Sequence, residues 1–333
     1  MDQVQHESGE TLPAMSAIVP IREQYASVRK TMRYLQKQAW ANQLEVVFVV
    51  PRDGSPNIET ADLQPFHSWR VATIEKFGTL ARAYAAGTRH ASAPIVVWTE
   101  DHSFPQANWA ETLITSHQMP VAAVGPAMRN GNPTSLASWA DFYTAYGEWA
   151  EPIESGEVNH LPGHNSSYKK DLLLEYGERL EEVLEAESLL HWDLRRRKYV
   201  LYLTNQTSNA HLNHATWRIV LPSHFYTGRQ FAALRASQFS PARRLLFILG
   251  APLIPFVRFY RAQGPVRRAR RSLIETVAIL AAVLFAFTAD GLGEMVGYAF
   301  GVGNAHTMRA EHEYDRIDHL TPQQLGRALE SDV

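Results

Sequence analysis

The sequence predicts an α/β protein: a largely parallel sheet flanked by helices, followed by a separate helical, basic region. Three observations carry this. Short β-branched runs alternate with helical patterns over residues 15–232. The residues that follow those runs are rich in carboxylates. Charge is also divided unevenly. The formal net charge is −2, yet residues 243–271 hold eight Arg and no Lys, Asp or Glu, which leaves −2 − 8 = −10 on the rest. A basic block in an otherwise acidic chain points to a local anionic partner. No nucleic-acid motif accompanies it, so nucleic acid is not expected. The absence of cysteine excludes disulfides, thiolate metal sites and cysteine nucleophiles.

Residues 1–14 are polar and lack an apolar signal-peptide core, and read as a flexible tail. Met15–Pro20, Glu45–Val50, Arg70–Ile74 and Ile95–Trp98 read as buried strands because they are short, apolar and β-branched. Between them lie helical stretches. In Tyr25–Gln38, Val28, Met32 and Leu35 share one face; Thr79–His90 is Ala-rich; Ala107–His117 follows the fourth strand. Strand–helix alternation implies right-handed βαβ units, whose sites lie at the carboxyl ends of the strands.

Those ends read Pro20-Ile21-Arg22-Glu23, then Pro51-Arg52-Asp53-Gly54, then Thr99-Glu100-Asp101-His102. Asp53-Gly54 is equally consistent with an ordinary turn. Glu100-Asp101-His102 is harder to reduce to a turn. Two acids and an imidazole against a buried strand need a compensating cation, and this donor set suits Mn²⁺ or Mg²⁺.

A helix is expected from Leu180 to Arg197, with Leu180, Val183, Leu184, Leu190, His191 and Leu194 on its buried stripe. Glu187 falls within that stripe, whereas Glu181, Glu182 and Glu185 lie on a solvated face. A carboxylate on the buried side of a helix is costly unless paired or functional. Trp139, Phe142, Tyr143, Tyr146 and Trp149 recur at helical spacing and read first as core, with a groove lining as the competing role.

The order IVP…REQ, EVVFVVPRDGS, IVVWTEDHSFPQANWAETL resembles the nucleotide-sugar-binding half of family 2 glycosyltransferases with the GT-A fold. LPGHNSSYKKDLLLEYG and KYVLYLTNQTSNAH continue the likeness to about residue 215. The resemblance implies an inverting glycosyltransferase. Pro20, Arg22, Glu23, Asp53, Arg82, Glu100 and Asp101 would then contact the donor, a UDP-, GDP- or dTDP-sugar. The metal motif reads Glu-Asp-His where Asp-x-Asp is usual, so either Asp101 or His102 is the ligand, with His211 a further contact or a core histidine. Gly163, His164 and Asn165 fall in the loop beside acceptor and diphosphate. The acidic pair that precedes the last core helix in the family reads Ala186-Glu187 when counted back from Tyr199, and the resemblance then makes Glu187 the base. The altered metal motif and the Ala in the acidic pair also motivate an alternative, a non-catalytic scaffold on the same fold.

Residues 233–305 hold two charge-free runs, Leu245–Val257 broken by Pro252 and Pro255, and Thr276–Ala289. Neither reaches the ~20 residues of a bilayer span. They predict amphipathic or re-entrant segments on the cytoplasmic face of the inner membrane. There Arg243–Arg271 would meet anionic lipid, and the acceptor would be lipid-linked or a glycan. A span over 273–302 is the alternative, and a buried helical pair a third reading. The element Gly293-Glu294-Met295-Val296-Gly297-Tyr298 resembles one in membrane-associated bacterial members of the family. Residues 306–333 read as a polar tail.

Overall fold

The computed structural model describes residues 4–5, 11–185, 187–237 and 239–314. Ten strands form one sheet: β1 (Val4–Gln5), β2 (Met15–Pro20), β3 (Leu44–Pro51), β4 (Ser68–Ile74), β5 (Ile95–Trp98), β6 (Ser103–Pro105), β7 (Ala123–Asn130), β8 (Gly156–Glu157), β9 (Ser167–Lys169) and β10 (Leu201–His211). Their order is β1-β4-β3-β2-β5-β9-β7-β10-β6, with β8 paired to β10. β4, β3, β2 and β5 run parallel, in register Ile18↔Val47 and Ile18↔Trp98, and β9 joins β5 antiparallel. This is the mixed, mostly parallel sheet of the GT-A fold, with the four expected strands in place. Helices that follow the strands are α1 (Tyr25–Gln36), α2 (Leu80–His90), α3 (Trp109–Ser116), α5 (Lys170–Leu174), α6 (Leu180–Leu184) and α7 (Glu187–Arg196), with α4 (Leu136–Tyr146) between β7 and β8.

The chain divides into two compact units, 1–129 with 153–210, and 130–152 with 211–333. Composition had suggested a break after residue 232. Contacts cut the chain elsewhere, because the aromatic helix α4 belongs with the C-terminal helices.

In the first unit, Val28, Met32 and Leu35 of α1 pack with Val46, Phe48 and Val97 in one buried cluster. Trp98 at the end of β5 is fully buried and stacks between Tyr84 (5.7 Å) and Tyr168 (4.5 Å). Such ring pairs each add about 1 kcal/mol beyond their burial, so the strand that delivers the acidic segment is held from both sides.

The second unit contains α4, α8 (Trp217–Arg235), α9 (Pro241–Gly250), α10 (Ile254–Arg268), α11 (Leu273–Phe300) and α12 (Ala305–Tyr314). Phe142, Tyr143 and Tyr146 are buried, as core rather than groove. A Ser272/Glu275 capping box starts α11. Gly293 of α11 meets the backbone of Phe225 so closely that a Cβ would stand 2.0 Å from its carbonyl oxygen, which lets α8 and α11 touch.

The charge-free runs do not stand alone: each lies within a longer helix. Pro252 and Pro255 are accommodated near the start of a 3₁₀ turn and of α10, where a missing N–H costs little. Pro241–Arg268 and Leu273–Phe300 therefore each form 28 residues of helix, long and apolar enough to cross a membrane. Nor is the whole basic block available to lipid. Arg258 is ion-paired with Asp290 and Glu294, which is what lets α11 continue through two acids. Arg271 lies 4.0 Å over the Trp139 ring and donates to Tyr143 Oη at 2.7 Å. The first residues of the polar C-terminal segment form α12, which reaches Tyr314; the rest of that segment, and most of the 1–14 tail, lie outside the described residues.

Candidate active site at the carboxyl ends of the strands

The site is built on the turn between β5 and β6. Thr99 continues the β5 ladder through its N–H (3.0 Å) and hydroxyl (2.9 Å), both donated to the Ile18 carbonyl. Thr31 on the buried face of α1 donates to the Glu100 carbonyl at 2.8 Å, and Tyr84 on α2 donates to the Thr99 carbonyl at 3.0 Å. Both helices thus fix the backbone that carries Glu100.

Glu100 and His102 are 4 % and 1 % exposed. Asp101 is the outer member of the three: its Oδ1 lies 2.5 Å from His102 Nδ1. That contact turns His102 Nε2 toward Glu100, at 3.7 Å from Oε2. A carboxylate on one ring nitrogen is the usual means of orienting a metal-binding imidazole. The donor set, a buried carboxylate oxygen beside an imidazole nitrogen, is one that could hold a metal ion.

His164 comes from the loop before β9. Asn165, in the left-handed region (φ 70°), donates its N–H to the Trp98 carbonyl at 2.8 Å and turns the loop back over β5. His164 Nε2 then lies 3.6 Å from Glu100 Oε1 and 3.2 Å from Glu187 Oε1. Tyr84 packs against the His164 ring at 5.6 Å. Gly163 is required for this approach. A Cβ there would fall 2.5 Å from Glu187 Cγ.

Glu187 lies in the first turn of α7, where a helix N-terminus favours a carboxylate. Its placement corrects the sequence expectation. The single helix Leu180–Arg197 is broken into α6 and α7, and Glu187 stands at the break with a side chain 21 % exposed rather than in the buried stripe. The six stripe residues are buried as expected. Glu182 is exposed as expected and Glu181 keeps a side chain 36 % exposed, but Glu185 and Glu181 also have partners. Glu185 accepts from Thr79 Oγ1 at 2.6 Å and Glu181 pairs with Arg82 at 3.0 Å, joining α6 to α2.

Beneath the site, Tyr168 donates to His191 Nε2 at 2.9 Å. Burial, then the nearby His160, lowers the His191 pKa to about 3, so its ring is neutral and accepts that bond. Burial, then the charge of Glu187, raises the Tyr168 hydroxyl well above its usual value.

The structure thus brings together Glu100, Asp101, His102, Gly163, His164, Asn165 and Glu187. Pro20, Arg22, Glu23 and Asp53 stand at neighbouring strand ends, with Arg22, Glu23 and Asp53 exposed. Arg82 is committed to Glu181. His211 closes β10 and belongs to the second unit, where Nδ1 hydrogen-bonds Asn213 Oδ1 at 3.0 Å and the ring meets Tyr146 at 4.5 Å. Sequence reasoning missed Thr31 and Tyr84. Each had a signal: a hydroxyl on the apolar face of α1, and the one aromatic in an Ala-rich helix.

Residues 16–177 match the family described as glycosyl transferase family 2. No curated protein sequence matches the chain. Among solved structures, the mannosyltransferase PcManGT from Pyrobaculum calidifontis, in complex with GDP-Man and Mn²⁺, is similar with a TM-score of 0.52. Its identity is 15 %, over 88 % of this chain and 87 % of that one. S. aureus TarS 1–349 in complex with UDP gives a TM-score of 0.47 at 16 % identity, over 90 % of each chain. At these identities the likeness is one of fold. Strand order, strand-end acids and the sequence match agree: residues 16–177 of this chain form a glycosyl transferase family 2 domain in a GT-A fold.

Proposed function

We propose that the chain is a metal-dependent, inverting glycosyltransferase that moves a sugar from a nucleoside-diphosphate sugar to an acceptor hydroxyl. One observation carries the reading. The His164 imidazole reaches both Glu100, which follows a strand, and Glu187, which opens a helix, at 3.6 and 3.2 Å. The two carboxylates assigned to metal and base thereby converge on one ring nitrogen, His164 Nε2.

Glu100 and His102 Nε2 would hold the ion, with Asp101 fixing the His102 ring. Mn²⁺ or Mg²⁺ held there would supply charge to neutralise the leaving diphosphate. The resemblance assigns His211 to the same ion on sequence grounds. The exposed turn that carries Asp53 meets the nucleoside. Glu187 takes the proton from the acceptor hydroxyl as its oxygen attacks the anomeric carbon and the bond to the diphosphate breaks. His164 holds the Glu187 carboxylate in place, and Gly163 leaves room for it.

A lipid-linked or polysaccharide acceptor at the cytoplasmic face of the inner membrane is the reading that the second unit supports. Leu246, Leu249, Leu253, Phe256 and Tyr260 lie exposed along α9 and α10, and Arg243, Arg244, Arg261, Arg267 and Arg268 are in the same stretch. An apolar stripe among arginines lies in the plane of an anionic membrane surface.

The test is a thermal-shift panel of UDP-, GDP- and dTDP-sugars with and without Mn²⁺, followed by transfer assays of Glu187→Gln. A nucleotide that raises Tm only with metal is expected. In Glu187→Gln that shift persists while transfer falls by about 10²–10⁴-fold, the range for a lost general base. No stabilisation by any nucleotide identifies the chain as a scaffold; full transfer by Glu187→Gln removes the base assignment.

A further inference from the structure

β7 ends at Asn130 and its sheet neighbour β10 at His211. The segments that leave these two strands are tied together by side-chain amides. The Gly131 N–H donates to the His211 carbonyl at 2.8 Å. Asn132 forms a reciprocal pair with the Asn213 backbone, accepting from its N–H at 2.7 Å and donating to its carbonyl at 2.8 Å. Asn213 and His211 are 0 % and 1 % exposed. The Asn213 amide therefore cannot turn to water, and each of its atoms must suit the group it faces.

That requirement settles which way the amides point. The oxygen and nitrogen of an Asn side chain can be exchanged by a half-turn, but backbone groups have fixed roles. The Asn132 N–H is a donor, so the Asn130 atom 3.0 Å from it is the oxygen, Oδ1. That oxygen only accepts, so the Asn213 atom 3.0 Å from it is the nitrogen, Nδ2. The same nitrogen lies 2.9 Å from the His211 carbonyl, a second acceptor that demands the same assignment. Asn213 Oδ1 then faces His211 Nδ1 at 3.0 Å. An amide oxygen can only accept, so Nδ1 carries the hydrogen. A neutral imidazole protonated at Nδ1 holds its lone pair at Nε2.

We infer that Asn213 is a positioning residue: oriented by Asn130, it holds His211 as the Nδ1–H tautomer and so keeps Nε2 as the lone-pair donor that a metal ion needs. This rests on the metal-dependent reading, in which His211 is assigned to the ion, and adds to it the device that makes the ring a ligand. Metal-bound imidazoles commonly give their other N–H to an oxygen acceptor. At His102 that acceptor is the Asp101 carboxylate; at His211 it is a neutral amide, which fixes the tautomer without adding charge.

The test reads the ring itself. In the full chain with isotope-labelled histidine, nitrogen NMR distinguishes the tautomers of the 14 histidines, and His211→Gln identifies the signals of His211. Without metal, at about pH 8 and so above the ordinary histidine pKa, His211 is expected as the Nδ1–H form. In Asn213→Ala its signals should move toward the Nε2–H form. Titration with Mn²⁺ alone, followed by the resonance of the free ion, should show affinity about 10–100-fold weaker in that variant. Asn130 Oδ1 and the His211 carbonyl keep second donors there, the Asn132 and Gly131 N–H groups, so the truncation falls chiefly on the ring. An Nε2–H ring in the unsubstituted protein overturns the inference, and that measurement stands even if Asn213→Ala does not fold. Mn²⁺ affinity unchanged in Asn213→Ala overturns it as well. An unsubstituted protein that shows the Nδ1–H ring yet binds no Mn²⁺ fails the metal reading, and the positioning role falls with it.

Discussion

The two ends of the parallel sheet treat a buried carboxylate in opposite ways. At the amino end, Glu45 of β3 is fully buried and saturated. It accepts from the Ser16 hydroxyl, from the Ser92 N–H and hydroxyl at 2.8 Å each, and pairs with Arg70 at 2.6 Å. At the carboxyl end, Glu100 is as deeply placed but faces two imidazoles at 3.6 and 3.7 Å, beyond hydrogen-bond length. The first charge is tied into the fold by serine and arginine; the second is the one that the proposed function assigns to the metal.

Exchanging the two acids for alanine puts that contrast at risk most directly. Glu45→Ala leaves Arg70 and the Ser92 N–H without their acceptor and is expected to cost about 3 kcal/mol of stability. That is the low end for a broken buried pair, since Arg70 retains access to water. The Mn²⁺-dependent nucleotide shift should survive in the fraction that folds. Glu100→Ala should do the reverse, with Tm in the absence of metal unchanged or raised and the Mn²⁺ response gone. Chemical denaturation and thermal shift of both variants read the outcome. If Glu100→Ala unfolds the chain and Glu45→Ala does not, the assignment of roles to the two ends is inverted.

Gly163→Ala sharpens the carboxyl-end half. The added methyl would fall 2.5 Å from Glu187 Cγ and displace the carboxylate from His164. A shift of about 1 Å in a catalytic group costs about 10²-fold in rate. The expected result is a kcat reduced by about that factor, with donor-dependent Tm shifts retained. An unchanged kcat would mean that the observed approach of Gly163 to Glu187 has no part in transfer.

How far the sequence discloses this depends on which force sets each element. β2, β3 and β5 were legible within a residue or two because burial on both faces demands uninterrupted apolar runs, and the partly buried β4 was legible from its β-branched residues. The acidic turn after β5 was legible because topology puts sites there. The break before α7 was not. The apolar stripe passes from α6 to α7 without a missed beat, and the contacts of Glu185 and Glu181 with Thr79 and Arg82 are tertiary, which a local pattern does not show. The division of labour in Glu100-Asp101-His102 was equally hidden, since three adjacent polar residues carry no sign of which one turns outward. The length of α9–α10 was missed because prolines were read as stops, although near a helix start they are tolerated.

Acid should act on the supports beneath the site rather than on the fold's saturated end. Two buried histidines brace β9, the strand beside β5. His117 Nε2 lies 2.9 Å from Ser167 Oγ, and His191 accepts from Tyr168. Burial, then the charge of Lys169, lowers the His117 pKa to about 4, against a hydrogen bond donated to the Ser167 backbone that raises it; His191 is lowered to about 3. Between pH 6.5 and these values the unfolded chain binds protons that the native state refuses, so stability rises with pH and is lost as pH falls below about 6.5. Each histidine contributes a slope of about 1.4 kcal/mol per pH unit, or about 2 kcal/mol between pH 6.5 and 5. Denaturation midpoints measured across that window should fall with acid, and His191→Gln, whose amide oxygen can still accept from Tyr168, should flatten the dependence by about half. A slope that His191→Gln and His117→Gln both leave intact would assign the acid sensitivity to the carboxylates of the site instead, and would blur the distinction between the charge that builds the sheet and the charge that works at its edge.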